Sequence, residues 1–277
     1  MSAELKTKLE ELQAQGDNLD IDEAVTFFAD IRTYLEKGLI RTAEKVNGEW
    51  KVNHWVKEAI MMGFKTGILE EVGHTPWSYF DKSTLPLHPL TVENKVRLVP
   101  GGSSIRSGSC VSAGSIIMPP SYIHIGAFVD TGCMIDSHAL VGSCAQIGKN
   151  VHLSAASQIG GVLEPIGALP VIVEDNVFIG GNCGIYEGTI VKTGAVIGTG
   201  VILNASTPVF DNTTGEFIKK RAEVPLIIPE GAVVIAGTRP ISSGKGAEAG
   251  IQIYCPVIIK YRDDKTDKAV TLEEVLR

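Results

Sequence analysis

The sequence predicts a mainly β protein. A parallel β-helix of hexapeptide repeats spans residues 91–240, a helical domain precedes it over 1–90, and a short C-terminal strand segment follows over 241–277. Three observations carry this. Aliphatic residues stand six apart without a miss from Val99 through Ile105, Val111, Ile117, Ile123, Val129, Ile135, Val141, Ile147 and Leu153 to Ile159. A small or compact residue stands four positions after each of the first ten, from Ser103 to Ser157. The 277 residues also include 30 glycines, while aromatics make up only 6%, a balance that suits tight, repetitive backbone packing.

The N-terminal domain shows helical spacing instead. Val25, Phe28, Ile31 and Leu35 define a helix over Asp22–Lys37, with Gly38 as its stop. Ile40–Val46 and Glu49–Val52 flank Asn47-Gly48, a strong short hairpin signal. Asn53 is placed to cap a second helix running through Trp55, Ala59, Ile60 and Met62 to about Phe64. Gly73–Pro89 is rich in turn formers and reads as a linker. No catalytic motif lies in this segment, which reads as a packing or lid domain covering one end of the coil.

From Val99 the period is six, which a helix of 3.6 residues per turn cannot keep on one face. Were Val, Ile and Leu to fill about a quarter of positions, eleven in register would arise by chance about once in a million sequences or less often. Each hexad forms one side, and three sides close a triangular coil of about eighteen residues. The repeat resumes at Val173, Ile179, Ile185, Val191, Ile197, Leu203 and Val209, two residues out of phase, so an insertion is expected at VLEPIGALP, 162–170. A second loop over 210–226 precedes Ile228 and Val234. Gly126, Gly142, Gly148, Gly180 and Gly198, each beside an aliphatic residue, would relieve crowding at turns. IQIYCPVIIKY, 251–261, reads as a strand pair covering the other end or an edge.

Composition excludes several classes. The net charge of −7 gives no basic field for nucleic acid. No apolar run approaches the ~18 residues of a membrane helix, and the start, MSAELKTKLEEL, is charged where a signal peptide is apolar. Five scattered cysteines without a CxxC pair read as reduced thiols in a cytoplasmic protein. Flat coil faces associate around symmetry axes, so a homo-oligomer acting on small molecules is expected.

GSCAQIGKNVHLS at 142–154 followed by IGGVLEP at 159–165 resembles the tetrahydrodipicolinate N-succinyltransferases, a branch of the hexapeptide-repeat acyltransferases. RTAEK at 41–45, PSYIHIGAFVD at 120–130, VEDNVFIG at 173–180, TGEF at 214–217 and IYCPVIIK at 253–260 support the resemblance over nearly the whole chain. It implies a left-handed β-helix, a homotrimer with active sites between subunits, and succinyl transfer from succinyl-CoA in lysine and diaminopimelate synthesis, with no metal.

Such N-acylation needs a deprotonated amine, a positioned thioester and a proton acceptor, plus cations for an acceptor bearing two carboxylates. By resemblance, Arg97 in KVRLVP binds substrate, a solvated residue at a domain junction being the alternative; Arg106 is a weaker candidate for a second clamp. Asp136 in MIDSHALVG follows the inward Ile135 and should face outward, matching the family's substrate-binding acid, which could hold the amine and accept its proton. Asp130 occupies the same hexad position, and spacing does not separate the two. The resemblance places a second acid at Gly184, where GGNCGIYEG at 180–188 has none; Glu187 either replaces it or is a structural turn acid. For coenzyme A, the candidates are Ala205-Ser206, the Ala236-Gly237 turn, Lys245 in a mobile SSGKG loop, and Lys260, each lysine being equally readable as a surface residue.

His124, His138 and His152 stand fourteen apart and invite a zinc-site reading like that of γ-class carbonic anhydrases. Their hexads fall on three different sides, so they cannot converge on one ion within a chain. The open alternatives are a related hexapeptide acyltransferase using acetyl-CoA or another amino dicarboxylate, such a carbonic anhydrase, and a non-catalytic scaffold.

Overall fold

The computed structural model describes residues 2–72, 79–222 and 224–263. Three helices and two hairpins lead into a left-handed parallel β-helix, whose two-residue strands are joined by tight turns. Its first wall stacks Arg97–Leu98, Ile116–Ile117, Met134–Ile135, His152–Leu153, Phe178–Ile179, Val196–Ile197 and Ala232–Ile235. The second wall runs from Ser104–Ile105 to Ile202–Leu203, and the third from Cys110–Val111 to Ile227–Ile228. Aliphatic residues from all three walls, such as Ile123, Val129, Ile135 and Ile179, meet in one buried column at 0% exposure. The six-residue period produces this column because each hexad turns the chain one side onward.

The register departs from the simple repeat at both ends. Leu98, not Val99, pairs with Ile117, and Ile105 opens the strict run. The first strand is thus one residue out of step and its side chains are exposed. Val209 also leaves the coil. Its place above Val191 on the third wall is taken by Ile228. Val209–Asp211 instead forms a hairpin with Glu216–Ile218 and pairs parallel with Val257–Tyr261, extending the first wall. The 251–261 segment is not a strand pair with itself. Gln252–Tyr254 pairs with Thr238–Pro240, and Val257–Tyr261 with Ala232–Ile235.

In the N-terminal domain, α1 (Ser2–Ala14), α2 (Ile21–Glu36) and α3 (His54–Thr66) share a core of Leu9, Leu12, Phe28, Ile31, Val56 and Ile60. Asp20 caps α2 by accepting from the Glu23 amide at 3.1 Å. Asn53 sits at the start of α3 without capping it, because its side-chain amide donates to the Arg41 carbonyl at 2.8 Å. The stretch read as a linker contains Tyr79–Lys82, paired antiparallel with Leu69–Val72; its first residues, 73–78, lie outside the described ones.

This domain does not cover an end of the coil. It lies lengthwise along the corner where the second wall turns into the third, and Ile125 and Cys144 from that corner join the helical core. The hairpin Ala43–Val46 and Glu49–Val52 continues onto the third wall, where Ala43 packs with Ile172 and Ile190. Arg41 stacks over Phe128 at 3.7 Å and donates to Gln146 at 2.8 Å. The third wall carries apolar side chains outward, and the N-terminal domain is what shields them from water.

Candidate active site

Two regions carry the candidate residues. The first is the corner between the first and second walls. Asp136 follows Ile135 there and is half-buried. Its Oδ1 accepts from the Ser137 amide at 2.7 Å, which fixes the carboxylate. Among the described residues nothing donates to its second oxygen, which is free to meet an amine. Arg97 lies on the same wall two strands away, through Ile116 and then Met134. At about 4.8 Å per strand, Met134 stands about 10 Å up the wall from Arg97, and Asp136 lies two residues beyond Met134. Asp130 makes the same local bond, to the Thr131 amide at 2.7 Å, but on the corner between the third and first walls. The structure thereby separates two acids that share a hexad position.

Arg106 is not beside them. It stands at the second-to-third corner, where its guanidinium pairs with Asp81 at 3.0 Å and reaches the Tyr122 hydroxyl at 3.5 Å. That pairing ties the Tyr79–Lys82 strand to the coil and leaves Arg106 a structural anchor. Beside it, burial and the Arg106 charge lower the pKa of His124.

The three histidines do not converge, and two of them lie near one wall. His138 occupies the exposed turn after the first wall's third strand, with φ 63°. His152 sits within that wall against Phe178, ring centroids 5.0 Å apart, and His124 lies at the second-to-third corner. Among the described residues no group of three or more His, Cys, Asp or Glu is arranged to hold a metal ion.

The second region is a cavity of about 1040 Å³ on the second-to-third corner and third wall. Trp50 of the hairpin, Leu169 of the insertion, Glu187, Ala205 and Lys220 line it. The insertion is pinned from beneath: Lys57, fully buried in α3, donates to the Ala168 carbonyl at 2.6 Å. Burial pushes the Lys57 pKa down. At the cavity edge, Glu174 accepts from Trp50 Nε1 and Lys45 Nζ, each at 2.9 Å, with Lys192 at 3.3 Å. Burial alone would raise its pKa, but these donors outweigh burial and hold it at about 2.

Glu187 occupies a left-handed turn position, φ 54°, and accepts from the Ala205 amide of the next coil at 2.8 Å. The turn-acid role is thus present in the structure. Glu187 and Asp136 stand on different corners of one chain. Gly184 lies in a second-wall strand with its Cα facing outward beneath the Tyr186 ring.

The coenzyme candidates divide between two places. Ala205 and Ser206 sit in a turn organised by Asn204, whose Oδ1 accepts from the Ser206 and Thr207 amides at 3.0 Å each. Gly237 lies beyond the first wall's last strand, where a Cβ would come within 2.9 Å of the Cys255 carbonyl and Val257; Ala236 precedes it. Lys245 falls in α4 (Gly244–Glu248), a short helix where the sequence suggested a mobile loop. Lys260 pairs with Asp263 at 2.8 Å. Strand Gln252–Tyr254 bridges the two places, because the Tyr254 hydroxyl accepts from the Ile202 amide of the second wall.

Residues 4–66 match a family model described as tetrahydrodipicolinate N-succinyltransferase N-terminal, and residues 170–205 match one described as hexapeptide repeat of succinyl-transferase. Curated relatives named 2,3,4,5-tetrahydropyridine-2,6-dicarboxylate N-succinyltransferase align over nearly the full length. The Legionella pneumophila (strain Corby) protein is 39% identical, covering 99% of this chain and 97% of its own. The Ehrlichia ruminantium (strain Gardel) protein is 40% identical over 100% and 96%, and that of Paraburkholderia phytofirmans 42% over 96% and 93%. The chain belongs to this N-succinyltransferase family.

The N-succinyltransferase N-terminal match therefore covers the three helices and the hairpin whose Trp50 lines the cavity. Sequence reasoning overlooked the cavity's own residues. Trp50, Leu169 and Lys192 come from segments far apart in the chain, and no spacing rule joins them. The pairing of Arg106 with Asp81 was likewise hidden, because Asp81 lies in the stretch read as a linker.

Proposed function

We propose that the protein transfers a succinyl group from succinyl-CoA to the amino group of the amino-ketopimelate formed from tetrahydrodipicolinate, a step in lysine and diaminopimelate synthesis. The observation that carries this reading is the 39–42% identity to N-succinyltransferases over almost the entire chain. The enzyme works as a cytoplasmic homotrimer with active sites between subunits, consistent with Asp136 and Glu187 lying on different corners of one chain.

In this reading Arg97 binds a carboxylate of the acceptor, and the second oxygen of Asp136 holds its amine. Asp136 receives a proton as the nitrogen attacks the thioester carbonyl carbon. The N–C bond forms, the C–S bond breaks, and the sulfur leaves as coenzyme A, which takes up the proton. Because the Ser137 amide already fixes the carboxylate, little reorganisation accompanies attack. The turn at Ala205-Ser206 and the backbone at Ala236-Gly237 hold the coenzyme arm, and Lys245 meets its phosphates. Glu187 acts by fixing the Ala205 turn.

Thiol release from succinyl-CoA, measured with and without tetrahydrodipicolinate and in parallel with acetyl-CoA, tests the proposal. Acceptor-dependent release with succinyl-CoA is expected. Release that never depends on the acceptor would overturn it.

A further inference from the structure

Tyr186 lies on a pedestal of two glycines. A Cβ on Gly160 would sit 2.7 Å from its Cδ1, and a Cβ on Gly184 would sit 2.4 Å from its Cε2 and 2.8 Å from its hydroxyl oxygen. Neither glycine has positive φ, so neither is required by a turn. Glycine inside a strand sacrifices packing and marks the close approach of another group. Here that group is the phenol, which leaves the second-to-third corner and lies back across the second wall.

The backbone of Tyr186 is anchored on both sides. Its amide donates to the Leu203 carbonyl at 2.9 Å, and its carbonyl accepts from the Thr189 hydroxyl at 2.7 Å. Its hydroxyl, in contrast, makes no hydrogen bond among the described residues, and the side chain is half-exposed. The neighbouring Glu187 holds the Ala205 turn, so the ring stands on the side of the site assigned to the coenzyme. Asp136 serves the amine from the opposite corner. In the stack, Gly184 pairs with Gln158, and Gln158 with Leu140, the strand that follows the Asp136 turn. A phenol with an open O–H beside the coenzyme turn is a donor for carbonyl or carboxylate oxygen.

We infer that the Tyr186 hydroxyl donates a hydrogen bond to an oxygen of the acyl group carried by the coenzyme. The inference rests on the succinyl-transfer reading and assigns that site a residue for acyl-group recognition. The oxygen is either the thioester carbonyl or the distal carboxylate of succinate.

The test compares wild type with Tyr186→Phe, which keeps the ring on its pedestal. The measurements are kcat and KM with succinyl-CoA and with acetyl-CoA, and calorimetric titration of succinyl-CoA and of free coenzyme A. A lost hydrogen bond predicts a roughly tenfold fall in kcat/KM for succinyl-CoA, with the KM of the acceptor and the affinity for free coenzyme A unchanged. An equal fall with acetyl-CoA assigns the bond to the carbonyl; a fall with succinyl-CoA alone assigns it to the carboxylate. Gly184→Ala should displace the ring and reproduce the loss, without adding to it in the double variant. Wild-type kinetics in Tyr186→Phe would overturn the inference, as would an equal weakening toward free coenzyme A. Should wild type transfer no acyl group, the functional reading fails. The titrations then still decide the tyrosine: preference for succinyl-CoA over coenzyme A must disappear in Tyr186→Phe.

Discussion

At Asp136, what distinguishes one acid from its repeat-mates is the corner it occupies. Asp130 shares its hexad position and its bond to the next amide, but only Asp136 lies on the corner between the first and second walls. Asp136→Asn should lower kcat by about 10²–10⁴ and leave melting unchanged; turnover close to wild type would show the acid to be misassigned. Repetition made the coil readable and for the same reason concealed the site, because equivalent positions in successive hexads look alike. The glycines divide in a similar way. Gly126 adopts φ 72° at its turn, whereas at Gly180 a Cβ would come within 2.6 Å of the Thr199 amide on the next coil. Close approach between coils, not turn geometry, demands glycine at position 180. Gly180→Ala should therefore cost roughly 3 kcal/mol, seen as a fall in Tm with the fold retained.

Elements were legible where one physical period dominated. The six-residue repeat, the α2 face and the Asn47-Gly48 hairpin follow from local rules, and the structure contains all three. The helix α1 went unread although Leu5, Leu9 and Leu12 carry its apolar stripe, because charge on the remaining positions masked it. The linker-like stretch hid a strand because its partner, Leu69–Val72, offers only an exposed, weakly patterned edge. Where elements meet, Glu174 joins the hairpin to the third wall. With its pKa held at about 2 against an ordinary 4.5, the bond strengthens the fold fully above pH 4.5, and the gain is lost as pH falls toward 2. Glu174→Gln should cost roughly 2–3 kcal/mol near neutral pH, and the difference in Tm from wild type should shrink below pH 4. Lys57 behaves in the opposite sense, because burial disfavours its charge. Lys57→Met should leave Tm within a few degrees while exposing the 162–170 insertion to proteolysis, since it removes the bond to Ala168.

For the whole molecule, the N-terminal domain shields the third wall, whereas Met134 and Phe178 on the first wall and Tyr122 and Leu140 on the second remain partly exposed. Association of these walls about an axis predicts a sedimentation mass three times the 29.6 kDa of the chain; a monomer at micromolar concentration would contradict the trimeric part of the proposal. Assembly was invisible to a six-residue period, which repeats identically whether or not a partner is present.

A stacked coil on its own resembles a column of coins, each touching only the next, and such columns loosen from their ends. Here Glu36 accepts from the Gly108 amide near the bottom, Thr42 reaches the Gly126 and Cys144 carbonyls in the middle, and Lys45 reaches Glu174 higher up. One side of the column is thereby splinted over several layers. Fraying of any of those layers must break contacts with a folded helical body, so amide exchange along that edge should be uniformly slow instead of tapering toward the ends. The splint turns a series of weakly coupled layers into a single cooperative unit, and helical packing sets the rigidity of an otherwise β-built enzyme.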